Sequence, residues 1–424
     1  MDKMIADLNE LVGFNSVCKK DFNSEYPFGK EVHDAVRKAL DICGNYGFKT
    51  ANKKMTAYAE VGTGNELMGI LVHLDIVPAG DGWKYNPFEI HIEDNKIYGR
   101  GVTDDKGPAI AVIHAIKELI EEGADFKKRV RIIFGMAEES GKWEDIEYYK
   151  ANEEKISFGF TPDADFPAIY GEKGIAHLKF SFNRKDTCFK YIKGGIAINM
   201  VPDYCYGEYV DENGKVVKLE VKGKAAHGST PEDGVNAISK MMLNFTEKNN
   251  CKLSQFFKQF IGTEYNGKSL GGYFEDEASG QITYNIGKIE TLDDKIEIMV
   301  DVRYPVTCSI NNIVNNINET LIANKCNYTC AELVSDTPYV YMDKNGEVIT
   351  ALLEAYRQHT GDTSEPTVIG GGTYARSMEG IVAFGPMLPG RELTEHQANE
   401  YIYVEDLKLA KEIYKTAIKK LAVQ

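Results

Sequence analysis

A chain of 424 residues, 43% hydrophobic and 27% charged, carries enough apolar material for two or three domains, which excludes both a small stapled scaffold and a disordered segment. Its 64 acidic and 49 basic side chains leave a net charge of −15, a field that repels a phosphate backbone, so nucleic acid is not an expected partner. The eight cysteines include no Cys-x-x-Cys pair, no run reaches the ~18 apolar residues of a membrane span, and Asp2, Asp7 and Glu10 stand where a signal peptide needs basic residues; a cytoplasmic protein with reduced thiols and no membrane contact is expected.

In chain order, apolar residues at helical spacing predict a helix over 31–43, and a short apolar run predicts a strand over 67–74. That strand ends in His73-Leu74-Asp75, where a period of two places an imidazole and a carboxylate on one face. A carboxylate there can fix the tautomer of a metal-binding imidazole, although a lone strand-end histidine is more often satisfied by an ordinary hydrogen bond. A glycine-rich turn at 99–108 then carries Asp104 and Asp105 into a helix predicted over 106–121. Capping accounts for one of these aspartates; a carboxylate bridging two cations accounts for the other. The strand predicted over 130–137 delivers Glu138 and Glu139, one suited to hold a metal and the other to act as general base, with a surface turn closed by Gly141 as the plain alternative. Asp163, in Thr161-Pro162-Asp163, follows another predicted strand and offers one more ligand.

After Gly174 the pattern changes to period-2 segments at 177–182, 216–221, 281–289 and 295–302, interleaved with helical patterns at 235–245 and 311–323. A βα pattern returns with a helix over 347–358, a strand over 381–385, a polar loop carrying His396, and a closing helix over 404–421. The expected fold is α/β: a catalytic domain with a mixed sheet flanked by helices, built from 1–171 and 332–424, and an inserted α+β lid over 172–331. Two histidines and several carboxylates at successive strand ends, without cysteine, suit zinc, manganese or cobalt. Cys326 and Cys330 are expected as buried apolar fillers.

In this order the motifs resemble the co-catalytic di-zinc hydrolases that include carboxypeptidase G, succinyl-diaminopimelate desuccinylase and aminoacylase. Closest are the PepV-type dipeptidases, through Gly-Arg-Gly-x-x-Asp-Asp-Lys-Gly-Pro at 99–108, Thr-Pro-Asp-Ala at 161–164, Asn-Met-Val-Pro-Asp at 199–203, Gly-Gly-Gly-Thr-Tyr-Ala-Arg at 370–376 and His-Gln-Ala-Asn-Glu at 396–400. The resemblance implies two divalent ions, zinc first with manganese or cobalt as alternatives, held by His73 and Asp163 on one side and Glu139 and His396 on the other, bridged by Asp104. It also implies Glu138 as general base, Asp75 orienting His73, a cis Asp104–Asp105 bond, and His227 of the lid helping to hold the oxyanion. Asn199, Arg303 and the Gly371-Gly372-Thr373 backbone would hold the substrate's backbone and free carboxylate.

The activity so implied is hydrolysis of unblocked dipeptides. Acyl amino acid deacylation or carboxypeptidase action is the alternative, a dinucleotide-binding enzyme suggested by Gly370–Ala375 the more distant one, and a catalytically silent binding protein another. In dimeric relatives the lid histidine reaches the neighbour's active site, whereas an enlarged lid can supply it within one chain; a monomer is therefore expected, with a homodimer as the alternative.

Overall fold

The computed structural model describes residues 2–247, 249 and 251–423 and divides into two compact units. The first comprises 1–170, 342–367 and 373–424, and the second 171–341 with 368–372.

In the first unit the strands run in the order Lys49–Asn52, Ala57–Val61, Arg129–Gly135, Leu67–His73, Phe158–Thr161 and Ile381–Ala383. Leu67–His73 is buried at every position, as a strand covered on both faces must be, and lies parallel to both neighbours. Ala57–Val61 pairs antiparallel with Arg129–Gly135, so the sheet is mixed. Helix Lys106–Glu121 buries an Ala, Ile and Val face and packs against Val404–Ile418 and Lys3–Val12. Because three adjacent strands are parallel, His73, the Glu138–Glu139 turn and Asp163 all leave the same end of the sheet, where α/β folds place their sites.

The second unit is a seven-stranded sheet in the order Val216–Lys222, Tyr204–Val210, Phe189–Gly194, Thr283–Thr291, Lys295–Tyr304, Gly174–Asn183 and Glu332–Thr337. Alternation sends Ala176, Leu178, Phe180 and Phe182, with Ile296, Ile298, Val300 and Val302, to one face, where they meet Ile238, Met242, Phe256 and Ile317 from the helices. The unit therefore has a core of its own. The return to the first unit falls later than the expected 332, because Glu332–Thr337 pairs with Gly174–Asn183 as an edge strand of the second sheet. Cys326 is buried as expected, but Cys330 is exposed, in a stretch that forms no strand. Among the described residues, no helix is long and apolar enough to cross a membrane.

Candidate active site

The turn at 99–104 is fixed from the far end of the chain. Glu400, fully buried, accepts hydrogen bonds from the amides of Gly101 (3.0 Å), Thr103 (2.9 Å) and Asp104 (3.3 Å), and pairs with Arg100 Nη1 at 2.6 Å. The Asp104–Asp105 peptide is cis. Asp105 stands at the N-cap of Lys106–Glu121 but makes no cap hydrogen bond; its Oδ2 instead accepts from the His73 amide at 3.0 Å. The capping account of this pair is thereby replaced, and the Asp104 carboxylate is free to face the site.

Each Asp104 oxygen meets a different histidine. Oδ1 lies 2.8 Å from His73 Nε2, which is 3.8 Å from Asp163 Oδ2; Oδ2 lies 2.9 Å from His396 Nε2, which is 3.1 Å from Glu139 Oε1. His73 Nε2 and Asp104 Oδ1 are both buried and, despite their proximity, neither has a hydrogen-bond partner among the described residues. Buried polar atoms are rarely left in this state, and a cation between them would satisfy both. Ligand atoms of His73, Asp104 and Glu139 all fall within 4.8 Å of one another. The five residues thus fit a two-cation site with Asp104 between the positions.

Asp75 supports this centre differently from expectation. His73 Nδ1 meets the Asp75 backbone oxygen at 3.0 Å, with the carboxylate farther off at 3.5 Å. The carboxylate chiefly receives the amides of Glu138 and Glu139, both at 3.1 Å, so it holds the turn that presents the two glutamates. Trp143 Nε1 donates to the Glu138 carbonyl at 3.3 Å, and buried Asp145 accepts the Met136 amide at 2.6 Å and the Tyr374 hydroxyl at 2.8 Å. Tyr374 in turn stands edge-on to the His73 ring. Sequence reasoning gave Glu400, Asp145 and Tyr374 no such role; the signal available was that Glu400 and Tyr374 fall inside quoted motifs.

The charges differ across the site. Burial opposes ionisation of Asp104, but the adjacent His396 and His73 rings outweigh it and hold the carboxyl well below its usual range. The carboxylates of Asp104 and Glu139 push His396 up to about 11. Burial disfavours charge on His73, yet Asp104, Asp75 and Asp163 raise it well above its ordinary value. Burial pushes Asp163 up to about 7, with Asp104 adding to the effect. Glu138 rises well above the carboxylate range through burial, His73 opposing and Asp163, Glu139 and Asp104 reinforcing. Its carboxylate makes no hydrogen bond or ion pair with the described residues, whereas that of Glu139 is engaged by His396. His396 also has a left-handed backbone (φ 62°), a conformation costing a non-glycine residue roughly 1–3 kcal/mol.

The second unit gathers Asn199, His227 and Arg303. The Gly228 amide donates to the Asn199 carbonyl at 2.7 Å, and Met200 forms a bridge with His227. A Cβ at Gly228 would lie 2.6 Å from Asp301 Oδ2, so only glycine lets the histidine segment close over that carboxylate. Arg303 places Nε and Nη2 on Asp301 and donates Nη1 to the Gly370 carbonyl at 2.8 Å, leaving further N–H groups for a carboxylate. His227 Nδ1 meets the Ser229 hydroxyl at 2.6 Å and faces the Ser229 amide at 3.3 Å; with Nδ1 accepting from that amide, Nε2 of the neutral ring carries the hydrogen. Burial, and then the Arg303 charge, hold His227 below its ordinary pKa, with Asp301 opposing. Gly371 and Gly372 belong to this unit and Thr373 to the first, where its side chain caps the short helix Tyr374–Ser377.

The sequence pattern of peptidase family M20/M25/M40 matches residues 69–420. The chain belongs to this family. A Staphylococcus epidermidis protein described as "Putative dipeptidase" is 36% identical, the alignment covering 100% of this chain and 98% of that one. Among solved structures, aminoacylhistidine dipeptidase from Vibrio alginolyticus aligns with a TM-score of 0.63 at 12% identity, over 98% of this chain and 96% of that one. The Bacillus subtilis protein YXEP, described as a dinuclear metal binding peptidase of the M20 family, aligns at 0.55 with 15% identity, over 98% and 97%. These likenesses establish the M20 fold, and the glycine run at 370–372 accordingly leads into a short 3-10 turn of a peptidase and opens no dinucleotide-binding helix.

Proposed function

We propose that the chain is a dinuclear metal-dependent dipeptidase that cleaves the amide bond of small peptides with a free N-terminus. The observation that carries this reading is the division of Asp104: each oxygen faces its own histidine–carboxylate pair, with the unpaired Glu138 beside them. His73 and Asp163 would hold one ion, Glu139 and His396 the other, and Asp104 both; zinc, manganese and cobalt all suit this donor set. When bound, such ions supply Lewis-acid activation of water and of the scissile carbonyl.

Within that frame Glu138 accepts the proton of the attacking water and returns it to the leaving amine. His227 Nε2–H serves as donor to the developing oxyanion. Arg303 pairs with the substrate carboxylate, its orientation set by Asp301 and Gly370, while Asn199 and the backbone of Gly371, Gly372 and Thr373 hold the peptide unit. Likeness to a protein described as a dipeptidase along the full chain supports this substrate class. A cytoplasmic monomer is part of the reading.

The test combines metal analysis with a substrate panel. Chelation is expected to abolish turnover, added zinc, manganese or cobalt to restore it, and free dipeptides to be cleaved in preference to acetylated or succinylated amino acids. Turnover of the acylated compounds without any dipeptide would replace the proposal with a deacylase.

A further inference from the structure

The face of the second sheet away from its apolar core carries a polar rung of which the proposed chemistry uses only Asp301. Ser335, His177, Asp301 and Asn285 lie directly opposite one another on four adjacent strands. Directly opposed residues share a face, so these side chains stand together on the side away from the apolar core. Ser335 Oγ meets His177 Nδ1 at 3.0 Å, and His177 Nε2 lies 3.7 Å from Asp301 Oδ1. Asp301 holds Arg303, as described, and Asn285 ends the rung, only 1% exposed.

Asn285 spends its amide on a single loop. Its Nδ2 donates to the Ile198 carbonyl at 2.9 Å and the Met200 carbonyl at 2.8 Å, the two backbone acceptors that flank Asn199. Asn236 Nδ2 donates to the Ile286 carbonyl at 2.9 Å and to Asn285 Oδ1 at 3.4 Å, while its own Oδ1 caps helix Ala237–Thr246. The amide orientation follows from this network, because the reverse would set an oxygen against two carbonyls. The same loop is pressed onto the strand at Gly287, where the register shifts: a Cβ there would lie 2.0 Å from the Ile198 oxygen, and one at Gly195 1.9 Å from the Gly287 oxygen. Asn199 itself is exposed at the top of this arrangement, and its carbonyl receives Gly228, next to His227.

We infer that Asn285 is a positioning residue of the reaction: by clamping the carbonyls of Ile198 and Met200 it fixes the direction of Asn199. This inference rests on Asn199 touching substrate, as proposed above. A group that acts only by aiming another has no effect once that other is gone, so coupling between the two sites separates positioning from general support of the fold.

The experiment is a double-mutant cycle of N285A and N199A in the metal-loaded full chain, run on whichever substrate the unmodified enzyme turns over, with melting temperature and metal content measured alongside. N199A is expected to lower kcat/KM about 100-fold and N285A about 10-fold, the double variant being no worse than N199A, and all keeping their metal. Multiplying losses in the double variant, or N285A with unchanged kcat/KM, would overturn the role of Asn285; N199A with unchanged kinetics would instead remove the substrate contact on which it rests. N285S, whose hydroxyl can serve one of the two carbonyls, replaces N285A if the latter does not fold, and the same coupling is required of it.

Discussion

Arg100 and Glu400 form an ion pair at 2.6 Å in which neither side chain has appreciable contact with solvent. Glu400 simultaneously receives the amides that shape the Asp104 turn, so one carboxylate from the last loop sets the direction of a residue encoded almost 300 positions earlier. Removing one member of such a pair strands the other, at about 3–5 kcal/mol, whereas exchanging both for apolar groups of similar size is far milder. Glu400→Ala is expected to lower the melting temperature sharply and weaken metal retention; Arg100→Met with Glu400→Gln should recover much of the stability. Calorimetry of the three proteins checks this, and equal losses in the single and double variants would contradict it.

Asp104 and the outer ligands should differ in metal stoichiometry. Asp163→Ala or His396→Ala removes a ligand from one position and is expected to leave about one tightly held ion per chain, whereas Asp104→Ala removes the carboxylate shared by both and should leave neither position strong. Metal analysis after dialysis against a weak chelator reads the difference. Retention of two ions by Asp104→Ala would dismiss the bridge.

Glu138 is expected to contribute to the rate and hardly at all to metal binding. Glu138→Gln keeps the volume and the bonds of the Glu138 amide and carbonyl but cannot accept a proton, so kcat should fall about 10²–10⁴-fold with metal content unchanged. Full activity in this variant would transfer the base to another group.

Asp145 makes a pH-dependent contribution to stability. Burial, first among the causes, pushes its carboxyl from 3.8 up to about 6, against the opposing hydrogen bonds from the Met136 amide and Tyr374. The folded protein therefore binds this proton more tightly than the unfolded chain: the resulting stabilisation is complete below the unfolded value and is lost as pH rises through the folded one. At about 1.4 kcal/mol per pH unit the whole effect is on the order of 3 kcal/mol. Asp145→Asn abolishes this slope, so its melting temperature relative to the unmodified protein should be higher at about pH 7.5 than at about pH 4. Parallel curves would refute the assignment.

The proposed metal-facing residues were legible because charge at the end of an apolar run is conspicuous: His73 ends a parallel strand, Glu139 and Asp163 follow shortly after two others, and Asp104 sits in a glycine-rich turn that surface capping does not explain. The residues that hold them in place were not. Asp301 and Asn285 occupy alternating positions that read as solvent-facing, and loops arriving from 197–201 and 226–229 help to bury them, a closure to which local pattern is blind. The end of the second unit was misjudged for the opposite reason. Glu332–Thr337 is an edge strand with four strongly exposed residues in its last four positions, so it carries almost no apolar period to detect.

The order of the proposed ligands along the chain has a consequence for biosynthesis. A nascent polypeptide possesses His73, Asp104, Glu139 and Asp163 early, but His396, and Glu400 that steadies the shared aspartate, leave the ribosome only after the entire inserted unit has been made. On the proposed reading, hydrolytic competence is thus withheld until residues 396–400 have been made, and a product truncated before that point would lack part of the proposed second cation position.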